Sequence, residues 1–137
     1  MSVTIVEVAA AAAAVVMATV AGFQVALAAG LPLREATMGG RASTVGGALQ
    51  RRYRAMAFGS AILLLLTSWM VLARAGMLPM FLSDQTLVWV VWIVAAFLVL
   101  NTLTNPSGRH PLERWGMAFI TLLAALLVGY VALIVPT

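Results

Sequence analysis

The charged residues of this chain stand so far apart that four long windows carry none: Val8 to Leu33, Ala55 to Ala73, Gln85 to Gly108 and Trp115 to Thr137. Each is close to or longer than the roughly 20 residues that a helix needs to cross a bilayer. Strands do not fit these windows. They lack the alternation of a transmembrane barrel, and an open sheet would leave backbone groups unpaired in lipid. The spacing therefore predicts an all-α transmembrane bundle of four helices in one domain over residues 1–137. The spans fall near Val3 to Ala29, Ala55 to Ala75, Leu87 to Leu103 and Gly116 to Ile134. Pro32, Pro79, Pro106 and Pro136 lie just outside them, where the loss of a backbone donor breaks no helical bond.

A chain that is 64% hydrophobic and only 9% charged lies far from soluble composition, in which about a quarter of residues are charged. All eight basic residues are arginine, and the absence of lysine from an alanine-rich chain suggests a GC-rich bacterial genome. The net charge of +4 does not indicate nucleic acid, because the arginines bracket apolar runs. Arg34, Arg41, Arg51, Arg52 and Arg54 separate spans one and two, and Arg109 and Arg114 separate spans three and four, against Arg74 alone on the other side. By the positive-inside rule those two loops are cytoplasmic and both termini lie outside. The expected location is the bacterial cytoplasmic (inner) membrane, crossed several times. With no cysteine, disulfides and thiolate metal sites are excluded. The first segment reads as a retained span and not a signal peptide, since it lacks a basic n-region, carries Glu7 and exceeds the usual length of a signal core.

Helices in lipid associate through small residues and a few interhelical hydrogen bonds. Ala10, Ala14, Ala18, Gly22 and Ala26 form a ridge of that kind on span one, and Thr121, Ala125 and Gly129 form a shorter one on span four. The cytoplasmic connection over residues 30–54 contains Gly39-Gly40 and Gly46-Gly47, which argue against one rigid helix. Gly39-Gly40-Arg41 lacks the Gly-Lys-Ser/Thr ending of a phosphate-binding loop. Val45, Leu49, Tyr53 and Met56 recur at helical spacing with Arg51, Arg52 and Arg54 between them. This pattern suits an amphipathic lead-in whose arginines contact anionic lipid headgroups; an ordinary basic loop that only sets topology is the plainer reading.

Ionisable residues are absent from the middle of all four spans, which removes the usual handle for proton-coupled chemistry. No catalytic, cofactor-binding or metal-binding constellation stands out. His110 has no second histidine or carboxylate at metal spacing, and Ser60 and Ser68 have no base within sequence reach. Glu7 and Arg74 fall at the same outer end and are expected to form an ion pair. Gln24, Asn101, Thr102 and Thr104 gather towards the cytoplasmic end, with Glu113 and Arg114 just beyond. They read either as helix-packing glue or as a small polar vestibule, with Gln24 the expected partner of Asn101. Asn101 would then face the interior together with Thr104, Phe97, Val94 and Val90. Trp115 falls at the inner interface, and Trp69, Trp89 and Trp92 fall in the outer halves of their spans. This reads as an aromatic belt, or alternatively as a stacking pair made by Trp89 and Trp92.

Ala28-Ala29-Gly30-Leu31-Pro32, Gly39-Gly40-Arg41 and Gly47-Ala48-Leu49 with Arg51 resemble the first cytoplasmic loop of a group of small, uncharacterised bacterial four-span integral membrane proteins. Val71-Leu72-Ala73-Arg74-Ala75-Gly76, Asn101, Ser107 and Glu113-Arg114-Trp115 extend the resemblance over nearly the whole chain. It departs at Leu31-Pro32-Leu33-Arg34, where the group reads Ala-Pro-Trp-Gly, and at Gln50, which stands for a proline. The resemblance implies fold and sidedness and carries no activity.

Three functions are compatible with these features. A non-catalytic accessory, scaffold or lipid-interacting bundle fits best, partnered by the bilayer, by anionic headgroups, by its own copies or by a larger membrane complex. A small oligomeric transporter or channel is the second. A lipid-modifying membrane enzyme is the third, and it lacks a visible acid, base or metal.

Overall fold

The computed structural model describes residues 4–32, 44–45, 48–107 and 111–135, the side chains at 112 and 113 excepted. Helix α1 (Ile5–Ala29) begins where Thr4 and Glu7 form a capping box. The Thr4 hydroxyl accepts from Glu7 N at 3.2 Å, and Glu7 Oε2 accepts from Thr4 N at 2.6 Å. Two of the amide groups that a helix start leaves without intrahelical partners are thereby satisfied. The helix stops at Gly30, whose φ of 98° is left-handed and is adopted by glycine without the steric cost other residues meet.

The chain then forms a two-stranded antiparallel hairpin, β1 (Thr44–Val45) against β2 (Ala48–Leu49), with Thr44 opposite Leu49 and Val45 opposite Ala48. The amphipathic helical lead-in expected over Val45 to Met56 is therefore corrected. Its first half is paired as strands, and a glycine pair between two short extended segments favours a hairpin over a helix. Helix α2 (Arg51–Arg74) starts four residues earlier than expected and takes Arg51, Arg52 and Arg54 into its first turn.

Helix α3 (Asp84–Thr104) is capped by Ser83, which accepts from Thr86 N, with Asp84 at the positive end of the helix dipole. A 3₁₀ turn (Asn105–Ser107) follows, and a π-helical turn (Leu112–Met117) leads into α4 (Ala118–Ile134). All four helical segments are long and apolar enough to cross a membrane.

Three contacts set the relative directions of the helices. Arg54 at the start of α2 donates to Ala28 O at the end of α1, and Asn105 after α3 donates to Thr121 in the first turn of α4. At the opposite end Arg74 of α2 donates to Val135 O just past α4. The bundle thus runs up and down, with α1 ending, α2 starting, α3 ending and α4 starting at one arginine-rich end.

Packing is uneven around this bundle. α1 lies most extensively on α2 and α3 on α4, α1 also meets α4, and of these neighbouring pairs α2 and α3 touch least. The main core is made by Ala9, Ala10, Ala13 and Met17 of α1, Val71 of α2, Leu87, Val91, Ala95 and Leu98 of α3, and Ala124, Ala125, Val128, Val131 and Ala132 of α4. A second, smaller core at the arginine-rich end joins Leu27, Leu49 and Ala57, flanked by Phe23 and Tyr53. Leu49 thereby ties the hairpin to the bundle.

The expected ridge on α1 is also corrected. Ala10 is buried but Ala18 and Gly22 are exposed, and the buried line runs instead through Ala10, Ala13, Met17 and Ala21. Each four-residue step turns about 40° beyond a full helical revolution, so a strict repeat of four leaves the contact face after two or three steps.

Candidate functional site

Where α2 and α3 pack least closely of the neighbouring helices, a cavity of about 520 Å³ opens between them. It runs from the middle of the bundle towards the arginine-rich end. α1 contributes Val16, Met17, Val20, Phe23 and Gln24 to its wall, and α2 contributes Ser60, Leu63, Leu64 and Thr67. From α3 come Ile93, Val94, Phe97, Leu98 and Asn101, with Asn105 just after it. Met117, Ile120, Thr121 and Ala124 complete the lining from the start of α4. Buried Met17, Leu98 and Ala124 form the back, while Leu63, Ile93 and Phe97 are each more than 60% exposed and form the rim. The cavity is therefore a crevice in the side of the bundle, facing outward between α2 and α3.

Its polar groups other than Ser60 and Thr67 gather towards the arginine-rich end and divide into two kinds. Thr121 is the centre of a bonded set. Its hydroxyl lies 2.8 Å from Met117 O and receives Thr102 Oγ1 at 3.1 Å and Asn105 Nδ2 at 3.3 Å. This set bonds α3 to α4 where the π-helical turn becomes α-helix. Gln24 and Asn101 are of the second kind. Both are half-buried and line the crevice, yet neither side-chain amide has a hydrogen-bond partner among the described residues. An amide withdrawn from water without a partner costs on the order of 1–3 kcal/mol in proteins, so these two groups are poised for a hydrogen-bonding occupant.

The candidate residues from the sequence are thus only partly brought together. Gln24 and Asn101 share one crevice without bonding each other. Thr104 lies outside it, exposed, with its hydroxyl on Leu100 O and Asn101 O. Asn101 does not lead a buried stripe, because Phe97 is 61% exposed and Val90 and Val94 are only partly buried. The buried face of α3 is Leu87, Val91, Ala95 and Leu98, turned towards α4, and Asn101 flanks it on the crevice side. Asn105, Thr121, Ser60 and Thr67 belong to the lining as well. For Asn105 and Thr121 the signal in the sequence was polarity at matching depth: Asn105 sits one helical turn beyond Asn101, and Thr121 lies on the returning helix close to the same end.

The remaining candidates are engaged elsewhere. Glu7 and Arg74 share an end of the bundle, but Glu7 closes the capping box of α1 and buried Arg74 binds the carbonyl end of α4. The expected ion pair is not formed. The Thr-x-x-Glu spacing of Thr4 and Glu7, a capping-box signature, accounts for Glu7. Arg54 caps α1 through Ala28 O at 2.7 Å, where a cation is favoured by the negative end of the helix dipole. Arg52 donates to the Tyr53 hydroxyl at 2.9 Å with its guanidinium over that ring, and Arg51 is exposed. Arg114 covers the Trp115 ring at 5.2 Å, both exposed at the same end. Trp69, Trp89 and Trp92 are exposed around the outside of α2 and α3. The Glu113 side chain, His110, Arg34, Arg41 and Arg109 lie outside the described residues. No group of three His, Asp or Glu side chains suited to a metal ion occurs among the described residues.

Comparison with known protein families, with curated proteins and with solved structures finds no match to this chain.

Proposed function

We propose that this chain acts without catalysis as a lipid-interacting bundle of the bacterial cytoplasmic membrane, serving as an accessory or scaffold subunit, with its arginine-rich loops cytoplasmic and both termini outside. One observation carries the reading: the crevice between α2 and α3 opens sideways, where bilayer lipid is the surrounding solvent, and ends in two amides that no described residue satisfies. A crevice of about 520 Å³ has the size of a small-molecule site, and its mostly apolar wall with a few convergent polar groups has the corresponding chemistry. The exposed Arg51, Arg52 and Arg114 at the same end favour lipids with anionic headgroups, since each basic residue near a charged leaflet contributes about 1 kcal/mol.

The test is native mass spectrometry of the protein extracted in mild detergent. Retention of about one lipid per chain, lost when the crevice is filled by Val94→Trp, is the expected result. A lipid-free chain carrying a stoichiometric protein partner would instead make it a scaffold without a lipid site.

A further inference from the structure

The reading above leaves open which lipid the crevice takes. We propose, resting on that reading, that it holds one chain of an ester-linked glycerolipid whose ester carbonyl accepts hydrogen bonds from the side-chain amides of Gln24 and Asn101.

Shape restricts the occupant first. Between Val16 and Gln24 the crevice runs about 12 Å at 1.5 Å per residue, and its rim is open to the surroundings between α2 and α3. A linear hydrocarbon chain of the surrounding bilayer enters such a slot from the side; a fifth helix, from a partner or a second copy, is the competing occupant, and protein bound in place of lipid in the experiment below would overturn the proposal. Phe97, Leu63 and Ile93 at the rim present the apolar edges between which such a chain would lie.

Charge and depth restrict the head of the occupant. Gln24 stands five residues before the end of α1, and Asn101 three before the end of α3. Both therefore lie roughly 5–8 Å inside the helix ends. A phosphate or free carboxylate drawn to that level would be a buried anion, and among the described residues the lining contains no cation to pair with it. A neutral acceptor meets no such penalty, and the amide NH₂ groups are donors. Ester carbonyls of a glycerolipid lie at the boundary between hydrocarbon and headgroup, a few ångströms below the phosphate. With the carbonyl on Gln24 and Asn101, the phosphate rises to the level of Arg51, Arg52 and Arg114, which are exposed there.

The experiment compares dioleoyl phosphatidylglycerol with its diether analogue, which keeps the chains and headgroup and lacks the carbonyls. The two compete for the full-length protein in detergent, with bound lipid read by native mass spectrometry. Wild type is expected to prefer the ester about three- to tenfold, the effect of one interhelical-strength hydrogen bond in a membrane. Gln24→Leu and Asn101→Leu are each expected to reduce that preference towards unity while still binding both lipids. Equal retention of ester and ether by wild type, with Val94→Trp still abolishing both, overturns the carbonyl contact and leaves the lipid crevice standing. An ester preference that survives both leucine variants also overturns it. Retention unchanged by Val94→Trp removes the crevice itself, and with it the reading on which this inference rests.

Discussion

Gly30 and Arg54 close the arginine-rich end of α1 together, the glycine by its left-handed φ and the arginine by its bond to Ala28 O. A Cβ added at Gly30 would sit 3.5 Å from the Arg54 guanidinium carbon, an ordinary contact, so backbone strain is the larger cost. Gly30→Ala is expected to destabilise the protein by about 1 kcal/mol, and Arg54→Gln by about 0.3–1 kcal/mol through the lost charge at the helix end. Denaturation in mixed micelles, followed by circular dichroism, checks both. Two polar positions of the crevice, Thr121 and Asn101, separate in the opposite way. Thr121→Val removes the centre of a bonded set and is expected to cost about 1 kcal/mol, whereas Asn101→Leu removes an amide with no partner among the described residues and is expected to leave the lipid-free stability unchanged or raised. A large loss of stability in Asn101→Leu would mean that the amide is bonded within the fold. Depth was legible in the sequence for Gln24 and Asn101, because rise per residue converts distance from a loop into distance from an interface. That the two would face a crevice and not each other was not, since hydrogen bonding between helices depends on rotations that residue counting does not supply.

Rotation is the missing quantity at the scale of the helix as well. The spans were legible because they are apolar on every face, and the same uniformity hides which face meets protein: a soluble helix marks its inner side by polarity, but here lipid and core are equally apolar. On α1 the small residues are so numerous that a repeat of four could be drawn through Ala10, Ala14, Ala18, Gly22 and Ala26, whereas the contact line passes through Ala10, Ala13 and Met17. A substitution pair distinguishes them. Ala13→Leu inserts a branched side chain where no surface is exposed and is expected to cost about 1–3 kcal/mol by overpacking. A Cβ added at exposed Gly22 meets nothing within 4 Å, so Gly22→Leu is expected to be neutral or slightly stabilising, because leucine is the better helix former. Equal damage from both substitutions in the same unfolding measurement would place the four-residue ridge in the interface after all. The hairpin was hidden for a different reason. Val45, Leu49, Tyr53 and Met56 satisfy a helical period, but Val45 and Leu49 sit either side of Gly46-Gly47, and the burial of Leu49 against Leu27 and Ala57 is a tertiary contact that the period cannot anticipate.

For the whole molecule, the decisive asymmetry is of charge. The up-and-down order of the helices brings the connection between α1 and α2 to the same end as the one between α3 and α4, and these two together with the helix starts that follow them carry every arginine but Arg74. Arg74, buried and donating to the carbonyl end of α4, keeps its charge and is the single arginine that opposes the bias. Retaining the arginine-rich connections on the cytoplasmic side is the expected outcome during insertion, since short loops rich in arginine resist translocation. A phosphatase reporter active only in the periplasm should therefore be active when fused after Thr137 and inactive when inserted at Gly46. Replacing Arg51, Arg52 and Arg114 by glutamine should reduce the bias without removing it, because Arg34, Arg41, Arg54 and Arg109 remain, and should at the same time lower the preference for anionic over zwitterionic lipid in the mass-spectrometric measurement. An active insertion at Gly46 together with an inactive fusion at Thr137 would invert the bundle. The crevice would then open towards the outer leaflet, and Gln24 and Asn101 would meet lipid drawn from that side.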